Sequence, residues 1–248
     1  MSESSQRPWA NWVMKLQLLL LAVLLLGMLT HKFELLSFRP AFMSFYYGIQ
    51  AVVLLTAVAL VLLVICALMG KKAQLKPLGL TLALGALPVV AVLAMVGKGL
   101  GVPQIHNIST DLENPPEFVA AYGLDVERIN SLDVPGPDVR AQQQAYYTQL
   151  QPLMLAAPPA QVFDTTLSVI ESLGWHLVQA DREVGRIEAY EETLLFGFKD
   201  DVVIRLAATD LGTRVDVRSV SRVGRSDLGA NAARIERLLA ALKAAHSS

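Results

Sequence analysis

Cysteine is all but missing: Cys66 is the only one in 248 residues, and it lies inside a hydrophobic run. That excludes an intrachain disulfide, a thiolate zinc site and a redox pair. Signature loops are missing as well. No P-loop, nucleophile elbow or dinucleotide glycine fingerprint occurs, so the sequence implies no nucleotide and no cofactor. Acidic residues are scarce in the first 100 positions, where 2 Asp+Glu stand against 8 Lys+Arg. Residues 101–248 reverse that balance with 20 against 13, which argues against general nucleic-acid binding. Lysine is almost gone from this second part, which holds two lysines and 11 arginines.

Charge of either sign is absent from three long runs. The first reads LQLLLLAVLLLGMLT over 16–30 and reaches 19 residues when 12–15, with Lys15 at its edge, are added. The second covers 40–70 and is most apolar over 51–69, and the third covers 77–97. About 20 apolar residues cross the hydrocarbon core as a helix, and these runs lack strand alternation. Three transmembrane helices are expected, at about 12–30, 46–69 and 77–97. Arg7 before a leucine-rich core resembles a signal peptide, but His31-Lys32-Phe33-Glu34 follows in place of a small-residue cleavage site. The first run therefore reads as a retained anchor. Trp9 and Trp12, and Phe42, Phe45, Tyr46 and Tyr47, have the character of interfacial aromatics.

Orientation follows from the short loops. Lys71, Lys72 and Lys76 make the loop between the second and third helices the most basic. Placing it in the cytoplasm puts Arg7 and Lys15 there too, with Lys32, Arg39 and Lys98 on the other side. The expected location is an inner (plasma) membrane, with the N-terminus cytoplasmic and residues 101–248 extracytoplasmic (periplasmic in a Gram-negative cell). Apart from Lys15 near the start of the first, no charged residue lies in a span, so the helices read as an anchor and not as a transport path.

The domain organisation expected is an anchor over 1–100 and an α+β domain over 101–248. A Pro-rich lead-in, 101–137, contains Pro103, Pro115, Pro116, Pro135 and Pro137, and its apolar residues suit packing over the domain. Asp138 opens a short helix to Leu150, and Pro158 or Pro159 opens another to Leu173, which Gly174 ends. Four strands are expected at Trp175–Ala180, Arg186–Thr193, Val202–Thr209 and Arg214–Val223. Short turns make them an antiparallel meander. A last helix runs from about Leu228 to Ala245. The fold class is α+β, with helices on one face of a four-stranded sheet.

Alternate residues of these strands divide sharply. Val215, Val217, Ser219, Ser221 and Val223 face one way; Arg214, Asp216, Arg218, Val220 and Arg222 face the other. Val202, Ile204 and Leu206 alternate likewise with Asp201, Val203 and Arg205, and Arg186, Glu188, Tyr190 and Glu192 share a face. A solvated face laced with ion pairs accounts for this pattern. A recognition surface for an anionic lipid, an envelope ligand or an acidic membrane-protein partner accounts for it too, because arginine forks suit phosphate and carboxylate. The candidate ligand-binding residues are Arg205, Arg214, Arg218, Arg222 and Arg225. Ser226 or Asp227 is placed to cap the last helix.

No catalytic or metal set has convincing spacing. His106, Ser109 and Asp111 have the residue types of a hydrolytic triad, which leaves an envelope hydrolase as an alternative to a binding module. A structural subunit of a larger membrane complex is a further alternative. Asn107-Ile108-Ser109 also matches a glycosylation sequon.

Longer stretches carry a family likeness: IHNISTDLENPPEF (105–118), GRIEA (185–189), FGFKDDVVIRL (196–206) and GTRVDVRSVSRVGRSDLGANAARI (212–235). Over about residues 102–245 the chain resembles the family termed domain of unknown function fourteen-ninety-nine. The resemblance implies no activity, cofactor or catalytic residue. It does imply that the lead-in is part of the domain.

Overall fold

The computed structural model describes residues 8–247. Arg7, used above to place the N-terminus, lies outside them. The chain divides into two compact units, Met1–Lys98 and Gly99–Ser248.

The first unit consists of α1 (Ala10–Lys32), α2 (Phe38–Leu68) and α3 (Lys72–Gly99). Each contains a span long and apolar enough to cross a membrane. The second and third begin before the expected spans of about 46–69 and 77–97. Pro40 falls in the first turn of α2, where a missing N–H costs nothing, so the aromatics 42–47 are helical. α2 is 31 residues, roughly 46 Å, against a hydrocarbon core of about 30 Å, so it must tilt or project into the headgroups. Lys72 and Lys76 lie in the first turns of α3.

Small residues let these helices approach. Ser44 packs beside Gly27 and Leu24 beside Gly48, while Thr56 and Gln17 crowd Gly85. Gln17 is fully buried, and its amide donates to Thr56 Oγ1 at 3.3 Å. A search for charged residues in the spans passes over this neutral link between helices.

The second unit is built on one antiparallel sheet. Its long strands are β3 (His176–Asp181), β4 (Arg186–Glu192), β5 (Lys199–Thr209) and β6 (Gly212–Ser221), joined as the expected meander. The sheet has six strands, not four. β1 (Asn107–Ser109) and β2 (Leu153–Leu155) pair antiparallel with successive parts of β6. Both are three residues long and sit in Pro-rich sequence, too short for alternation to reveal. Two glycines make the close approaches feasible. Gly185 (φ +65°) and Gly212 (φ +126°) sit where a Cβ would strike the Leu206 and Leu155 carbonyls.

Three helices complete the unit: α4 (Pro137–Tyr146), α5 (Pro159–Ser172) and α6 (Ala230–Ala245). Pro137 and Pro159 open theirs at positions where the N–H is dispensable. Gly174, at φ +72°, follows the end of α5 as expected. α5 and α6 bury Val162, Phe163, Ile170, Ile235, Leu238 and Leu242 against Ile187, Ala189, Val202, Ile204, Val215 and Val217. That is the main core. A second, smaller core lies on the other face, where Phe118, Ala121 and Leu132 of the lead-in cover Val203 and Val220.

Candidate functional site

The Arg-rich face of the sheet is largely roofed by the lead-in. Arg218 shows how. Its side chain leaves β6 on the face opposite α5 and α6 and is only 1% exposed. Nε donates to Asn107 Oδ1 (2.9 Å), one terminal nitrogen to the Pro116 carbonyl (3.2 Å), and the other to the Leu132 and Asp133 carbonyls (2.8 and 2.5 Å). The guanidinium also sits over the Phe118 ring. Among the described residues no carboxylate pairs with it directly, and burial pushes its pKa down to about 10. One arginine thus ties together three separate points of the lead-in.

Carboxylates do the same work beside it. Glu188, 1% exposed, accepts from the Val119, Ala120 and Ala121 amides at 2.8–3.0 Å, capping a 3-10 turn at Ala120–Gly123. Asp201 is fully buried and holds Arg222 in a bidentate fork at 2.8–3.1 Å, with Arg128 of the lead-in on its Oδ2 at 2.5 Å. Asn130 closes this end by donating to the Ser221 and Gly224 carbonyls.

A second polar lattice lies under α6. Arg234, 1% exposed, reaches Asp200 (2.5 Å), Glu191 (2.6 Å), Ser219 (3.1 Å) and Asn231 (2.5 Å). Asn231 in turn bonds Ser221 Oγ and the His106 carbonyl. Asp227 receives the Gly229 and Asn231 amides at 2.8 and 2.9 Å, so it makes the cap, and burial raises its carboxyl above the ordinary range.

The five candidate arginines therefore separate. Arg218 and Arg222 are interior groups, contrary to the expectation of an open face, because the lead-in lies over them. Arg225 is exposed in the loop before α6. Arg205 and Arg214 share two carboxylates. Asp216 lies 2.9–3.3 Å from both, and Asp111 Oδ2 is 3.1 Å from Arg205 and 2.8 Å from Arg214. Their side chains stay 27% and 38% exposed, and each borders an opening.

One opening, of about 460 Å³, is lined by Asp111, Glu113, Gln144, Thr148, Gln151 and Arg214, among others. The other, of about 330 Å³, lies between Pro115, Pro116, Val184, Arg186, Val203 and Arg205. Arg186 is the direct cross-strand partner of Arg205. Its Nε lies 3.3 Å from Glu188 yet makes no hydrogen bond among the described residues. Like charges directly opposed are unfavourable, and the carboxylates of Asp181 and Glu188 beside Arg186, and of Asp111 and Asp216 beside Arg205, offset them.

Triad residue types do not assemble. His106 Nδ1 faces the Arg225 carbonyl at 3.5 Å, Ser109 Oγ donates to the Asp111 carbonyl, and the Asp111 carboxylate serves arginines and two backbone amides. Among the described residues no group of His, Cys, Asp and Glu has the arrangement of a metal site. The sequence reading does not single out Arg128, Asn231 or Arg234, and it names Asn107 only as part of a sequon. A usable signal was present in the balance of Glu188, Asp201 and Asp216 against the arginines of the same face.

Three apolar helices followed by an α+β domain, with arginine–carboxylate lattices on both faces of its sheet, define a membrane-anchored α+β protein. No curated protein matches the chain significantly. It belongs to the family described as protein of unknown function (DUF1499), whose family model matches residues 107–242. That span runs from β1 to α6 and includes most of the lead-in.

Proposed function

We propose that the chain is a membrane-tethered binding module whose ligand carries a phosphate or carboxylate and sits at the Arg186, Arg205 and Arg214 end of the sheet. The observation that carries this reading is the contrast among the arginines. Arg218 and Arg222 spend their donors inside the protein, whereas Arg205 and Arg214 remain partly exposed beside openings. Asp111 and Asp216 hold these two forks in place, and such pre-positioning lowers the ordering cost of binding. Arg186 adds a positive charge to the smaller opening.

The basic loop before α3 favours an extracytoplasmic domain at the inner membrane, and a cell-envelope ligand fits that location. A reporter fused after the C-terminus tests it; activity of a cytoplasm-restricted reporter contradicts it. For binding, the full chain is purified in mild detergent and the retained lipids and proteins are identified. Arg186→Gln with Arg214→Gln leaves Asp111 and Asp216 paired with Arg205, so the fold should hold. Loss of a retained acidic species supports the reading, and an unchanged set contradicts it.

A further inference from the structure

The β4–β5 connection is unlike the other loops of the domain. It reads Thr193-Leu194-Leu195-Phe196-Gly197-Phe198, with Leu194 82% and Leu195 65% exposed. Phe196 and Phe198 stack behind them with centroids 4.7 Å apart. A run of adjacent leucines at a loop tip loses hydrophobic stabilisation to water unless something covers it.

Strand register shows which end of the sheet carries this tip. Glu192 pairs with Lys199 at the base of the loop, Asp200 pairs with Ser221, and Val220 pairs with Asn107. The tip therefore lies at the end of the sheet where β1 begins. Only residues 100–106 separate β1 from the end of α3, a tether of at most about 25 Å. β1 and the β4–β5 hairpin are separated by two to three strand spacings, about 10–15 Å. Exposed Leu100 and Leu228 share this end, as does exposed Arg225. The opposite end also exposes Val184 and Leu211, but there they are single residues in turns carrying Asp181, Glu183 and Asp210.

We infer that the Leu194–Phe198 loop is a second membrane contact, dipping into the headgroup and upper acyl region of the same bilayer that α1–α3 cross. The occupant is lipid. Apolar helices already bring the chain to a bilayer, the tether keeps this end within reach, and Arg225 suits anionic headgroups. This contact lies at the opposite end of the strands from the Arg186 and Arg214 openings. It stands independently of the proposed ligand and of which side of the membrane the domain occupies.

The test uses the full chain in nanodiscs of phosphatidylcholine and phosphatidylglycerol, with Cys66→Ala as background. A nitroxide is attached at Leu194→Cys, Leu195→Cys or, as the far-end control of matching exposure, Leu211→Cys. Labels at 194 and 195 should collide more with dissolved oxygen than with a water-soluble nickel chelate, and the label at 211 should do the reverse. Equal nickel access at 194 and 211 overturns the inference. Protection of 194 and 195 from both reagents also overturns it, since that pattern means a protein surface covers the loop.

Discussion

On the helical side of the sheet, Val202, Ile204, Val215 and Val217 meet Ile235 and Leu238, and non-directional burial of apolar area does most of the work. On the other side the cover is an irregular chain that cannot bond to itself as a helix does. Its backbone groups must find partners elsewhere. Glu188 supplies acceptors for three of its amides, Arg218 supplies donors for its carbonyls, and Asp201 binds its Arg128. Two kinds of cover thus need two kinds of surface. The charge density of the outer face is what an irregular cover requires, and its Arg186, Arg205 and Arg214 end stays partly exposed.

The contrast can be broken from either face. The largest effect is expected from Asp201→Asn, which keeps the shape but leaves Arg222 and Arg128 uncompensated. A loss of about 3–5 kcal/mol in denaturant melts is expected. Arg218→Met fills much of the same space without donors and should cost about 3 kcal/mol, since several charged hydrogen bonds go at once. Its signature is regional: protease cleavage within 116–133 should quicken while the sheet persists. Ile235→Val on the helical face should cost about 1 kcal/mol and leave cleavage of the lead-in unchanged.

The smallest effect concerns Asp227. Burial raises its folded pKa, so the folded chain holds the proton more tightly than the unfolded chain. Its stabilising contribution is present below the unfolded carboxyl range and is lost as pH rises through the folded value. Asp227→Asn removes that dependence, so the parent's advantage in Tm should shrink as pH climbs through and above the ordinary carboxyl range.

Much of this was legible. Runs free of charge gave the three helices, and alternation over 201–223 assigned nearly every long-strand residue to its face. Pro159 and Gly174 bracketed α5 because both act through local backbone geometry. β1 and β2 stayed hidden, since three residues carry no period and their pairing depends on β6, far away in sequence. The site was half legible for a related reason. Alternation tells that Arg218 and Arg222 point away from the helices, but not what lies on that side. The apolar residues of the lead-in hinted at packing, yet the roof is fixed by long-range bonds such as Arg218 to Asn107, which no local pattern reports.

Amide hydrogen exchange of the full chain in nanodiscs tests the roof most directly. Val119, Ala120 and Ala121, whose N–H groups point into the Glu188 carboxylate, and Ile129 and Asn130, bonded to the Arg222 carbonyl, should exchange as slowly as amides of β5 and β6. Exchange at the rate of an unstructured loop contradicts the account, because the arginine face is then open to solvent.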